Sequence, residues 1–398
     1  GTAITTGDAN TALGFLALRA DTLGSRSTAI GQGALYTQNF TSATNAYNTA
    51  VGYSAGEKVT TGTLNTLIGG LAGDAITTAN NNVAVGYLSL SANTTGTVNT
   101  AVGTDALRLN TTANHNTAVG YKALDINTTG AINTALGSNA LLANTTGDNN
   151  VAVGFGALDA NTTADNNTAV GKDALGANTT GDQNVAVGAT SSDANTTGRN
   201  NTSIGYASLG ANTEGDSNTA LGMNALFANT TADNNTGVGT SALQSNTTGA
   251  SNTAVGKGAL TANTTANYNS AFGENALLAN TTGTQNSGIG RYTLASNTTG
   301  DYNVAVGGDA LTANTTADNN TAVGMYALTA NTTGANNVAL GANALQPNTT
   351  GASNTGLGKG ALASNTTASN NTAVGFESLV ANTTGTRNTA VGMSAGVA

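Results

Sequence analysis

Apolar and polar positions along this chain follow one motif of 17 residues, N-T-A-V-G-x-x-A-L-x-A-N-T-T-G-x-N, whose positions are numbered below as slots one to seventeen. The slot-five glycine stands at Gly86, Gly103, Gly120, Gly137, Gly154 and Gly171, and recurs at every seventeenth residue to Gly392. The same step links Gly52 with Gly69 and Gly14 with Gly31, and one copy between Gly31 and Gly52 carries four extra residues. Twenty-three copies at a fixed period predict a solenoid in which each copy is one turn stacked on its neighbours.

Slots two to four alternate with the period of a β-strand. Slot two is Thr, Val or Ser (Thr100, Val83, Ser270) and slot four is always apolar (Val102, Leu136, Ile204, Phe272). Interchange of Thr with its isostere Val beside an aliphatic residue predicts that slots two and four form the buried face. Slot three is Ala, Gly or Ser except at Leu67, so a close neighbour is expected on its side. A second extended segment around slots eight to eleven is expected to supply the slot-nine Leu, present in 19 copies, with the two glycine slots making the bends. Seventeen residues trace a perimeter of roughly 56 Å, enough for two short strands and two turns. So thin a core barely offsets the entropy of ordering a turn, and the small slot-three face then reads as a contact between chains, most simply in a homotrimer.

Helices fit poorly, because the motif is rich in β-branched residues and Asn and has no 3.6-residue period. Independent hairpins fit no better, since no Asn-Gly dipeptide occurs. The fold class predicted is all-β, a parallel β-roll or β-solenoid of 23 turns. Residues 1–398 are expected to form one continuous solenoid, a repeat segment of a longer protein whose flanks carry an anchor and a tip. In-register stacking gives a rod of roughly 110 Å. Residues 32–51, which hold Tyr36, Phe40 and Tyr47, are expected to bulge from it. Two columns of asparagine follow, slot one (Asn99, Asn116, Asn133) and slot twelve (Asn110, Asn127, Asn144), whose amides would bond to the turns above and below. Gly103, Gly120 and Gly137 complete the structural set.

Composition narrows the chemistry. Charged residues make up 8% of the chain and aromatics 4%, and the net charge is −9 with only 11 Lys and Arg, so no basic stripe exists to bind nucleic acid. No apolar run approaches the ~18 residues that span a bilayer. There is no cysteine and only one histidine, His115, in a variable turn where solvent exposure is expected. Thiol chemistry, most nucleophile–base pairs and His-rich metal sites are thereby removed. Neither an enzyme nor a bound cofactor is expected.

Three repeated polar features remain. Asp148, Asp165 and Asp182 share slot sixteen in consecutive turns; they are weak candidates for calcium, because the Gly-Gly-x-Gly-x-Asp pattern of calcium-binding solenoids is absent, and solvated charges are the plainer reading. Thr-Thr pairs such as Thr94-Thr95 and Thr111-Thr112 suggest an ice-binding array, though they fall in a turn. The N-T-T triplets match glycosylation acceptors, yet their phase with the repeat marks them as structural. Slots six and seven vary most and hold Tyr53, Tyr87, Tyr121, Tyr206, Tyr292 and Tyr326, candidates for contact with a receptor or with a neighbouring chain.

The core of the motif, as in Asn150-Val151-Ala152-Val153-Gly154 and Asn303-Val304-Ala305-Val306-Gly307, resembles the repeat of trimeric autotransporter adhesin heads, and similar arrays occur in phage tail-fibre and virion fibre proteins. The resemblance covers nearly the whole chain. It implies a left-handed parallel β-roll, trimeric, with a structural and adhesive role at an extracellular or virion surface. The function expected is a non-enzymatic fibre segment that projects a host-receptor-binding tip, with a bacterial adhesin head or an ice-binding rod as alternatives. Partners would be the chain itself, as a homotrimer, and a cell-surface receptor or glycan reached through the flanks, with no nucleic acid and no membrane insertion.

Overall fold

The structure, a computed structural model, describes residues 1–397. It is an all-β parallel solenoid with about 17 residues per turn, without helix among the described residues. The chain forms two compact units, Gly1–Asn200 and Asn201–Ala398. In the first, each turn contributes one three-residue strand, from Thr11–Leu13 to Val185–Val187; in the second, strands run from Thr202–Ile204 to Thr389–Val391. Pairing is parallel and in register, so that Thr117, Ala118 and Val119 sit beside Thr134, Ala135 and Leu136.

The strand faces are the reverse of those expected from the pattern. Slot three points inward: Ala101, Ala118 and Ala135 are fully buried, whereas Thr100 and Val102 are only half-buried and Leu136 is exposed. Slot three is small because the interior is narrow. At Gly237 a β-carbon would already stand 3.2 Å from the Ala242 carbonyl and 3.3 Å from Leu226 Cγ of the preceding turn. Thr and Val interchange at slot two because both are β-branched and suit the half-exposed surface of a sheet. The core of each turn is therefore slot-three Ala, slot-eight Ala and slot-nine Leu, as in Ala118, Ala123 and Leu124.

Among the described residues the expected second strand does not form. Residues 104–109 form two successive tight turns, closed by Ala106 N–H to the Gly103 carbonyl (3.4 Å) and Asn110 N–H to the Leu107 carbonyl (3.3 Å). Asp105 and Leu107 there have φ of 58° and 51°, and His115 at slot seventeen has 61°. Ladder bonds nevertheless continue through the segment, from Leu107 N–H to the Ala123 carbonyl and from Leu109 N–H to the Asp125 carbonyl. Left-handed residues at slots seven, nine and seventeen thus make the bends together with the slot-five glycine. Gly120 has φ 139°, and a β-carbon on it would lie 2.4 Å from the Gly137 carbonyl oxygen. Slot fifteen, the other glycine slot, has no such backbone and accepts Ala at Ala113 and Ala164.

The four-residue insertion leaves the strand ladder intact, with Thr28–Ile30 pairing Thr49–Val51 in register. Its residues add a small two-stranded pairing, Gly24–Ser25 beside Thr44–Asn45. Phe40 turns inward and is buried, whereas Tyr36 and Tyr47 lie outside under the guanidinium groups of Arg19 and Arg26.

Candidate functional surfaces

The interior is held by amides as much as by apolar contact. Asn116 and Asn127, fully buried, both donate through Nδ2 to the Gly130 carbonyl at 2.9 Å, so two side chains brace one turn across its interior. Along the stack the two columns differ. At slot one the Asn116 backbone N–H donates to Asn99 Oδ1 (3.0 Å), and Asn133 N–H to Asn116 Oδ1 (2.9 Å). At slot twelve the bond is between side chains, Asn127 Nδ2 to Asn110 Oδ1 (2.9 Å) and Asn144 Nδ2 to Asn127 Oδ1 (2.8 Å). Asn127 and Asn144 thereby each use both donors and the side-chain oxygen, which is the satisfied state a buried Asn requires. The second unit repeats the pattern, as in Asn229 Nδ2 to Asn212 Oδ1 (2.8 Å). Where the insertion breaks phase, Gln38 takes the slot-twelve place, donating to Asp21 Oδ2 and accepting from Asn48 Nδ2.

The remaining polar candidates fall into place on this frame. Asp148, Asp165 and Asp182 each accept a backbone N–H of the preceding turn through Oδ1, at 2.7, 2.7 and 2.9 Å from Ala131, Asp148 and Asp165. Asn114 does the same for Thr97 N–H, so slot sixteen favours Asp and Asn as acceptors for the turn above. Among the described residues no group of three His, Cys, Asp or Glu is arranged to hold a metal ion. His115 is exposed, with its backbone N–H on the Thr97 carbonyl. In Thr-Thr pairs such as Thr111-Thr112 the first hydroxyl is used between turns, Thr111 Oγ1 to the Thr128 carbonyl (3.1 Å), and the second, Thr112, faces outward. The Asn of the N-T-T triplets is buried and hydrogen-bonded, as at Asn110 and Asn127, except Asn382, which is half-buried, so the interior turns hold this amide away from a glycosylation role.

A second acidic group was not foreseen. Burial pushes the carboxyl pKa of Asp159 and Asp193 upward, and the nearby Asp173 charge adds to this in both. Arg108 holds Asp125 by a paired contact, Nε to Oδ1 at 2.7 Å and Nη2 to Oδ2 at 3.3 Å, linking adjacent turns.

Two outward surfaces are left without a role in the turn itself. One is the strand face of slots two and four, uncharged in every copy, with Leu136, Leu221, Ile289, Leu340 and Leu357 exposed. The other is the aromatic set: Tyr53, Tyr87, Tyr121, Tyr206 and Tyr326 are exposed, while Tyr292 is half-buried beside the Arg291 guanidinium, 5.0 Å from its ring centre. No helix among the described residues is long and apolar enough to cross a membrane. A scan against protein-family models and a search of curated proteins return no match.

Proposed function

We propose that this chain is a non-enzymatic structural segment of a fibre, most simply a tail or virion fibre that holds a host-recognising tip away from a particle surface. The observation that carries the reading is the outward strand face. A repeated, uncharged stripe of Thr/Val and Val/Leu/Ile exceeds the scattered apolar exposure of an ordinary monomer surface and fits a surface covered by another chain. The chain–chain contact assigned from the pattern to slot three moves to this face, because slot three is interior. Cyclic assembly around the stacking axis keeps the chains parallel, as a projecting fibre requires, and a homotrimer is the assembly the repeat resemblance implies. The buried amide columns tie successive turns together in a chain that has no cysteine to cross-link them. Use at an extracellular or virion surface agrees with that construction.

A second reading draws on the same face. Slot two presents Thr hydroxyls in register, Thr100, Thr117 and Thr134 among them, on a sheet rather than in a turn, which is the arrangement an ice-binding surface would use. Charge separates the two. Val102→Lys with Val119→Lys places ammonium groups on the stripe of adjacent turns. Under the fibre reading the native chain sediments as an oligomer and the variant as a smaller folded species. A native monomer that shows thermal hysteresis, lost in the variant, would overturn the fibre reading in favour of ice.

A further inference from the structure

Beyond the bend at slot five, slot six carries an order that the repeat does not require. In the first unit it reads Phe15, Gln32, Tyr53, Gly70, Tyr87, Thr104, Tyr121, Ser138, Phe155, Lys172, Ala189. From Phe15 to Phe155 aromatic rings occupy every second turn, and the turns between hold Gly or a polar side chain; the row ends there, because Ala189 stands where the next ring would fall. The five rings are between 51% and 71% exposed. The Tyr87 ring leans over the gap below it, its Cδ2 3.5 Å from where a β-carbon on Gly70 would stand. In-register stacking repeats the rings at an interval of two turns, ~9.6 Å. In the second unit slot six begins Tyr206, Met223, Thr240, Lys257, Glu274, Arg291 and holds one further ring, Phe376, so it shows no such alternation.

We infer that this row is a binding surface for an extended β-1,4-linked polysaccharide of the glucan or N-acetylglucosamine type. Three features fit that chemistry. A pyranose ring with equatorial substituents presents an apolar C–H face, which packs on an aromatic face as other flat apolar groups do. In an extended β-1,4 chain successive rings are flipped, so the same face recurs at every second sugar, a repeat close to the spacing of two turns. The intervening slots, Gln32, Thr104 and Ser138, offer amide and hydroxyl groups to the sugar that bridges two platforms. An α-1,4 glucan coils and loses the pitch. The surface is distinct from the apolar strand face, so the inference does not depend on the assembly proposed above.

The test is binding of cellohexaose and chitohexaose to the full chain by calorimetry, with co-sedimentation on microcrystalline cellulose and chitin to show which of the two sugars is preferred. Maltohexaose serves as the spacing control. The expected result is binding of at least one β-1,4 hexamer and not of maltohexaose. Tyr87→Ala with Tyr121→Ala should weaken it by more than about tenfold. Tyr87→Phe, which keeps the ring, should retain binding, as should Tyr268→Ala with Tyr302→Ala in the other unit. Unchanged melting of the variants shows that the turns are intact. Absence of binding by the native chain, equal binding of maltohexaose, or full binding by the double alanine variant would overturn the inference. So would a double variant that changes the sedimentation coefficient while keeping its affinity, because the row would then be a contact between chains.

Discussion

At the scale of single residues, the two glycine slots of the motif have different physical causes. At slot five the backbone lies at a φ that side chains resist, and the carbonyl of the next turn fills the place of a β-carbon. At slot fifteen a β-carbon meets the next turn's carbonyl as closely, 2.4 Å from the Gly147 oxygen at Gly130, but the backbone is not left-handed, and Ala113 and Ala164 show that the neighbours can give way. Gly120→Ala is therefore expected to cost about 3 kcal/mol, and Gly130→Ala less than about 1 kcal/mol. Arrays of turns need not unfold in one step, so the informative measurement is amide hydrogen exchange at the flanking turns alongside the melting temperature. Equal effects of the two substitutions would contradict the assignment. The buried asparagines follow the same logic of replacement by function: Asn116 and Asn127 are kept because each amide closes a set of bonds that no apolar side chain of that size supplies.

At the scale of the turn, a local exception shows how the core is filled. Leu67 is the one large residue at slot three, and the slot-nine positions beside it are Gly56 and Gly73 instead of Leu. Its Cδ1 and Cδ2 lie 2.6 and 2.8 Å from where β-carbons on those glycines would stand, so one Leu fills the space that two others vacate. Leu67→Ala is expected to cost about 3 kcal/mol through the cavity it leaves. Gly73→Leu should destabilise the native chain by overlap yet recover part of the loss in the Leu67→Ala background, a coupling read from a double-mutant cycle. Simple additivity would contradict the packing. A pH effect belongs to the same scale. Because burial raises the folded-state pKa of Asp159 and Asp193, the native state holds protons there after the unfolded chain has released them. Stability gained from these groups appears as pH falls through the raised pKa and is lost as pH rises above it. Asp159→Asn should raise the melting temperature near neutral pH and flatten its pH profile. An unchanged profile would contradict the cause.

The turn also shows what was legible in the sequence. Period, strand position and the two Asn columns stood in the pattern, because stacking in register repeats every contact at 17 residues. The direction of the strand faces did not, since alternation marks two sides without saying which is inside, and a half-exposed sheet accepts Val as readily as a core does. The left-handed turns were half visible: Asn139, Asn149 and Asn166 are residues that tolerate φ near 58–60°. Leu107, Leu124 and Leu141 carry no such signal, because full burial of the side chain holds them in a conformation their own preference opposes.

At the scale of the whole molecule, the account rests on one surface property. The turns hide slot-three Ala and slot-nine Leu, as at Ala118 and Leu124, and present uncharged Thr, Val and Leu outward, so single chains would expose a repeated apolar stripe to water. Under the proposed assembly, copies of the chain cover that stripe. Sedimentation equilibrium of the native chain tests this most directly. The account predicts a species of three times the chain mass that persists on dilution, and a stable folded monomer would contradict it.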